Sequence, residues 1–294
     1  MSSVGNIYNH EQGNQDVKAS NSSNDYNPPT LLVCSSSASG RSYFLNSLNI
    51  PIEIVLNSKI IINEITAKPK LYNEYVVSLN IIEDLKNPQT KENSNQEISS
   101  SPVRLVWPLH SYDGYEESKT SLDDVLKENI AVIKAVIIIT SIDNMVNKLS
   151  VLPLFVLVLS KIKSDIPVLS LMNKADNLLE AYIGRVQDVN VIYTSFEIEC
   201  QKIMKDLYNY LLKNYDKDFL LGFTIKPTIF RLSHLTARHI RSYMKEDKRF
   251  KKEIFLGNDI NKWIVEHTNA NDNTIINIKI KIAEEENKEI SNQI

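Results

Sequence analysis

Short apolar runs alternate with amphipathic stretches along most of this chain of 294 residues. Four runs rich in Val, Ile and Leu have the length of buried strands, namely 30–34, 103–106, 135–139 and 167–172. Between and after them, helical periods occur at 41–48, 122–133, 147–162 and 196–211. Apolar strands separated by helices are typical of a mainly parallel sheet covered on both faces. The pattern therefore predicts a doubly wound, three-layer α/β fold.

Polar segments mark the limits of this domain. Residues 1–29 are mostly polar, which predicts a disordered amino-terminal arm, and the Ser/Asn-rich residues 86–101 predict a disordered loop insertion. The ordered domain is then expected over 30–268, where the remaining predicted elements are extended segments at 60–65 and 75–82 and a closing helix at 258–268. A polar, acidic tail follows at 269–294, and its alternating isoleucines predict an edge strand.

Composition limits the class of protein and its compartment. The net charge of −3 gives no reason to expect a DNA partner. Two cysteines, Cys34 and Cys200, cannot form a disulfide framework or a four-cysteine zinc site, so a reducing, cytoplasmic setting is expected. Cys34 ends an apolar strand and is expected to be packed rather than nucleophilic. No apolar run reaches the roughly 20 residues that a spanning helix needs.

A polar loop between the first strand and the first helix is the first candidate site. Residues 35–42 have the length and position of a phosphate-binding loop, G-x-x-x-x-G-K-[ST], whose backbone N–H groups hold phosphate oxygens. Gly40 and Ser42 match it, whereas Ser35 and Arg41 replace the first glycine and the lysine. An ordinary polar loop that caps a helix is the alternative. The candidate phosphate-binding residues are Ser35, Ser37, Ala38, Ser39, Gly40, Arg41 and Ser42.

The second candidate site follows the strand at 167–172, where Asn173, Lys174 and Asp176 form an N-K-x-D segment. In guanine-nucleotide-binding proteins such a segment reads the base. The aspartate accepts two hydrogen bonds from guanine, the asparagine contacts N7, and the lysine stem lies along the ring. A carboxylate that accepts from two donors rejects adenine. These three residues are therefore the candidate guanine-binding residues.

Four stretches together are similar to one family of Ras-like GTPases. They are 31–48, 105–110 (Leu-Val-Trp-Pro-Leu-His), 192–203 and 259–264 (Asp-Ile-Asn-Lys-Trp-Ile). They resemble, in order, the first strand, loop and helix, the L-V-D-x-P-G-H segment, the L-E-x-E helix and the closing D-I-x-x-W-[IL] helix of the β subunit of the signal recognition particle receptor. The resemblance spans 30–268 and implies a P-loop NTPase fold of the small GTPase type, with GTP and Mg²⁺ as cofactors.

The chain departs from that family where the metal and the γ-phosphate would lie. The segment at Trp107 lacks both the aspartate that orders the metal-bound water and the glycine that senses the γ-phosphate. Ser42 and Thr66 are the candidate Mg²⁺ ligands. Without the aspartate and the loop lysine, weak or lost GTP binding is expected, and no catalytic residue is assigned.

Two readings of the last strand stay open. In one, residues 189–195 form it, Tyr193, Thr194 and Ser195 supply the base-binding loop, and the domain ends near residue 215. In the other, Ile254, Phe255 and Leu256 form it. The second reading is preferred because it explains the aromatic helix around Trp263 and the long insertion before it.

A basic stretch runs from Arg231 to Lys252, with eight Lys or Arg against Glu246 and Asp247. Such a run is either a solvated helical face or a contact for an anionic membrane or ribosomal RNA. The resemblance implies a subunit that docks the receptor α subunit in co-translational targeting, peripheral on the endoplasmic reticulum. The alternatives are a pseudo-GTPase adaptor in membrane trafficking and an atypical small GTPase.

Overall fold

The computed structural model describes residues 28–50, 55, 61–62, 69–80, 100–146, 148–183, 185, 188–215, 217–231 and 257–268. The strands are β1 (Thr30–Ser35), β2 (Ile61–Ile62), β3 (Pro69–Lys70), β4 (Tyr72–Asn80), β5 (Ser100–Pro108), β6 (Ile133–Ser141), β7 (Val168–Asn173) and β8 (Phe223–Pro227). The helices are α1 (Arg41–Ser47), α2 (Glu116–Asn129), α3 (Ile142–Val146), α4 (Lys148–Leu159), α5 (Ala175–Ile183), α6 (Val189–Asn214) and α7 (Gly257–Thr268). A 3-10 helix, Asp218–Gly222, precedes β8.

Six strands form one mixed sheet in the order β4-β5-β1-β6-β7-β8. β4 is antiparallel to β5, and the other neighbouring strands are parallel. After β1 the chain forms β4 at the edge of this sheet and then β5 beside β1, and it next crosses to β6 on the other side of β1. β1 therefore lies at the topological switch point of the sheet. β2 and β3 form a separate two-stranded antiparallel sheet. The predicted α/β class with a mainly parallel sheet is confirmed.

Side chains on β1 alternate between two hydrophobic clusters, because successive residues of a strand point to opposite faces. Leu32 and Cys34 pack in a cluster with residues of α2, α4, α5 and α6. Leu31 and Val33 pack in the other cluster with residues of α1 and α7. Every residue of β1 and β7 is buried, as the continuous apolar runs in the sequence indicate. Helices therefore cover both faces of the sheet.

The four main strands and the predicted helices at 41–48, 147–162, 196–211 and 258–268 are confirmed, with ends that differ by a few residues. The helix expected at 122–133 instead spans Glu116–Asn129. Its polar first turn hid the start from a hydrophobic pattern, and Asp113 holds that turn by accepting hydrogen bonds from the N–H of Tyr115 and the hydroxyl of Ser118.

Residues 100 and 101 do not belong to the predicted insertion. Ser100 and Ser101 form the start of β5 and pair with Asn80 and Leu79 of β4, so the boundary at 101 is wrong. The rest of that insertion, 86–99, and the tail, 269–294, lie outside the described residues. Of the predicted arm, the structure describes Pro28 and Pro29, and the Pro29 carbonyl accepts a hydrogen bond from the N–H of Arg104 at 2.9 Å.

The strand reading of residues 189–195 is wrong, because these residues form the first turns of α6. Asp188 caps this helix by accepting a hydrogen bond from the N–H of Asn190 at 2.8 Å. The place beside β7 is taken by β8, a strand that neither reading named. Residues 254–256, which the preferred reading made the last strand, lie outside the described residues. None of the helices described here is both long and apolar enough to cross a bilayer.

Candidate functional site

A cavity of about 360 Å³ opens at the sheet edge where the carboxyl ends of the parallel strands meet. It is lined by Ala38, Ser39, Gly40, Arg41, Ser42, Tyr43, Ser111, Asn173, Lys174 and Arg231. Most residues of both candidate sites therefore share one cavity, although a long stretch of sequence separates them. Ser35, Ser37 and Asp176 lie outside its wall, and Thr66 lies outside the described residues.

Backbone hydrogen bonds hold the loop after β1 in its position. The N–H of Ser36 donates to the Ile139 carbonyl at 3.0 Å, and the N–H of Ser37 donates to the Tyr112 carbonyl at 2.8 Å. Ala38 and Gly40 then adopt left-handed backbone conformations, with φ of 55° and 93°. At Gly40 the requirement for glycine is also steric, because a Cβ there would lie 2.3 Å from Nδ2 of Asn173.

Asn173 connects three loops at this edge. Its side chain is buried, and Nδ2 donates a hydrogen bond to the Ser39 carbonyl at 2.7 Å. Its Oδ1 accepts a hydrogen bond from the N–H of Phe230, just after β8, at 3.2 Å. The next residue, Lys174, has a φ of 61°, so the chain turns sharply as it leaves β7. The loop after β1, the end of β7 and the loop after β8 are thus fixed to one another.

Arg41 binds the end of β5. Its Nη1 donates to the Pro108 carbonyl at 2.7 Å, and its Nη2 donates to the Leu109 carbonyl at 3.0 Å. Burial lowers the pKa of the guanidinium from 12.5 to about 10, which leaves it charged at neutral pH. The planar fork of arginine can reach two carbonyls at once, as the single ammonium group of lysine cannot with the same geometry. The replacement of lysine by arginine in the loop therefore has a structural use here.

Ser35 and Cys34, at the end of β1, are both buried. Ser35, which replaces the first loop glycine, is buried and donates its hydroxyl hydrogen to Oγ of Ser111 at 3.0 Å. Cys34 is fully buried, so the expectation that this cysteine is packed is confirmed, and burial raises the pKa of its thiol to about 12.

Tyr43 and Arg231 form a wall of the cavity that the sequence did not predict. The Arg231 guanidinium lies over the Tyr43 ring, 5.0 Å from its centroid, and its Nη1 donates to the Tyr43 hydroxyl. In the sequence Arg231 was only the first residue of the basic stretch. The rest of that stretch lies outside the described residues, and nothing in a local pattern connects Arg231 with Tyr43.

The sequence connects Asp176 with recognition of a guanine base and the segment at Trp107 with metal binding. Asp176 lies in the first turn of α5 and is 3% exposed, near the cavity but not on its wall. Trp107 is fully buried and belongs to the cluster that contains Phe44. None of the described residues that line the cavity is Asp or Glu, and the described part of the chain contains no cluster of His, Cys, Asp and Glu suited to a metal ion. The described lining therefore does not supply the carboxylate oxygens that Mg²⁺ prefers.

No protein-family model and no curated protein sequence matches this chain. Its class therefore rests on geometry, which defines a doubly wound α/β domain with a polar, cationic cavity beside the switch point of its sheet. In open α/β sheets this is the usual place for a ligand.

Proposed function

We propose that this chain is a P-loop GTPase-like subunit that acts by docking a partner protein and keeps a weak guanine nucleotide site. The position of Asn173 carries the proposal. Asn173 donates a hydrogen bond to Ser39 and accepts one from Phe230, and both Asn173 and Lys174 of the N-K-x-D segment line the same cavity as the phosphate-loop-like segment. A guanine site requires both segments within reach of one ligand, and an ordinary capping loop has no need of the second.

The switch point of the sheet supports the same proposal. The loop after β1 leaves the sheet where strand order reverses, and ligands of open α/β sheets bind outside the carboxyl ends of the strands at that point. The volume of the cavity lies within the range of about 300 to 1,000 Å³ that small-molecule sites occupy. A nucleoside phosphate is a ligand of suitable size and charge.

We propose weak rather than tight binding for two reasons. Both terminal nitrogens of Arg41 donate to backbone carbonyls at the end of β5, so this residue does not take the role of the loop lysine. Asp176 is buried and does not line the cavity. With Trp107 in the hydrophobic core, we propose no GTP hydrolysis.

The partner in this proposal is the α subunit of the signal recognition particle receptor, at the cytosolic face of the endoplasmic reticulum. Its support is the resemblance together with the place of the stretch at 259–264. That stretch lies within α7, whose Ile260, Trp263 and Ile264 are buried and pack in the cluster with β1 and β6. The buried face of this helix supports the likeness to the closing helix of that family.

The partner can be tested by mixing the purified full chain with the α subunit and measuring binding by calorimetry and size-exclusion chromatography. The proposal predicts a saturable one-to-one complex. An unrelated small GTPase, loaded with nucleotide, is the control and is expected not to bind. Nucleotide binding without any complex would remove the α subunit from the proposal and leave the nucleotide site.

A pseudo-GTPase adaptor that binds no nucleotide is the second candidate. The hydrogen bonds from Arg41 to the carbonyls of Pro108 and Leu109 favour it, because they occupy the loop cation with protein oxygens instead of leaving it for a phosphate. The two candidates differ in one observable, which is saturable binding of a guanine nucleotide.

A further inference from the structure

We infer that the cavity binds a nucleoside phosphate without a divalent cation, and that Lys174 and Arg231 balance the charge of the phosphate. This inference rests on the proposed nucleotide site and specifies its chemistry. It differs from what the resemblance implies, since Ras-like GTPases are expected to hold Mg²⁺ together with the nucleotide.

No carboxylate of the described residues balances the positive charge of Lys174 and Arg231 on the cavity wall. Lys174 and Arg231 both line the cavity, and no carboxylate of the described residues forms an ion pair with either. Two other cations of the described residues do have such partners, since Arg104 pairs with Glu74 and Lys161 pairs with Asp123. Two cations beside one concave surface attract an anion, and phosphate is the anion that both side chains bind well.

The described wall lacks the carboxylate oxygens that would help to hold a magnesium ion. Mg²⁺ in nucleotide sites is held by carboxylate or hydroxyl oxygens together with the phosphates. The described lining offers several hydroxyls, that of Ser42 among them, but neither an aspartate nor a glutamate. At the position of the family's aspartate stands Trp107, whose side chain is fully buried in the core. The charge of a bound phosphate therefore has to be met by protein cations.

Arg231 can exchange its present partner for a phosphate. Its guanidinium stacks on Tyr43 and donates to the phenolic oxygen, which is a neutral acceptor. A hydrogen bond between a guanidinium and a phosphate has charge on both sides and is stronger than one to a neutral oxygen. The stacked Tyr43 ring is 44% exposed, so a ligand can approach this pair from solvent.

Equilibrium titration of the full chain with fluorescent GDP, in excess EDTA and in millimolar Mg²⁺, tests the inference. The expected result is equal affinity in the two buffers. Arg231→Gln should weaken binding by about tenfold or more, the usual cost of losing a charged hydrogen bond. Arg185→Gln removes the same charge from an exposed position outside the cavity and should leave the affinity unchanged.

Each other outcome contradicts a different statement. Saturable binding in Mg²⁺ that disappears in EDTA would overturn the inference and leave the proposed nucleotide site in place. An Arg231→Gln variant that binds as tightly as the unchanged chain would overturn the role of Arg231. Absence of binding in both buffers would overturn the inference and the nucleotide site together, whereas docking of the α subunit is decided by its own measurement.

Discussion

The loop after β1 and the end of β5 lie at the same edge of the sheet but differ in what fixes them. The loop keeps an open cavity, and backbone hydrogen bonds and Asn173 determine its shape. The end of β5 is filled, with Trp107 fully buried and Leu109 8% exposed. A loop that is held through its backbone can keep its conformation with a serine, here Ser35, at a position where the phosphate-loop pattern has glycine. The end of β5 depends instead on particular side chains, and Trp107 makes it part of the core.

The largest expected effect comes from placing an aspartate at the end of β5. Trp107→Asp removes a fully buried ring and places a charge in the core, so we expect a loss of at least about 4 kcal/mol in the free energy of unfolding. Trp107→Phe keeps the site apolar and should cost less, about 1 to 3 kcal/mol. Urea denaturation measures both, and a stable Trp107→Asp variant would show that this region is not core.

Two glycines with the same φ of 93° allow a matched test of the loop after β1. Gly40→Ala adds both backbone strain and a contact with Asn173, and should cost about 2 to 5 kcal/mol. Gly114→Ala adds only the strain, because nothing lies within 4 Å of its Cβ, and should cost about 1 to 2 kcal/mol. Thermal or urea unfolding distinguishes them, and equal losses would contradict the close contact between Gly40 and Asn173.

Arg41 connects the two regions, so Arg41→Lys should change both. Loss of the two-carbonyl contact is expected to cost about 1 to 3 kcal/mol of stability. The ammonium group is then free to face the cavity, and affinity for fluorescent GTP should rise if the remaining pocket, including Asp176, is intact. Stability and affinity are measured on the same preparation. An unchanged stability would contradict the structural use of the guanidinium.

The smallest effect concerns the two thiols. Burial raises the pKa of both Cys34 and Cys200 to about 12, and the charges of Glu199 and Glu197 add to the shift at Cys200. At pH 8 both thiols are therefore protonated and shielded in the folded chain. We expect a disulfide reagent to label neither cysteine until urea unfolds the protein. Rapid labelling of Cys34 in the folded chain would contradict the tight packing of β1.

The sequence predicted the central strands well because they are continuous apolar runs between helices. It missed β8 because this short strand pairs with β7 alone among the described strands and most of its residues are half-buried, which leaves no clear alternation. It also allowed a strand at 189–195, where β-branched residues compete with the cap at Asp188. The local sequence pattern cannot distinguish a strand from a helix or a loop where contacts with distant parts of the chain decide the structure.

The candidate site, too, has features that the sequence predicts and features that it does not. The meeting of the loop after β1 with Asn173 could be predicted, because parallel strands end at one edge of the sheet. The partners of Arg41 and Arg231 could not be predicted, since they lie 67 and 188 residues away along the chain. The chemistry of the cavity therefore emerged only with the fold.

Competition binding at the cavity tests the central claim most directly. Fluorescent GDP is bound to the full chain and displaced with unlabelled GDP or ADP, and the titration is repeated with Asp176→Asn. The account predicts weak, saturable binding that GDP displaces, ADP does not, and the substitution weakens. Absence of saturable binding, or equal displacement by ADP, would contradict a retained guanine nucleotide site.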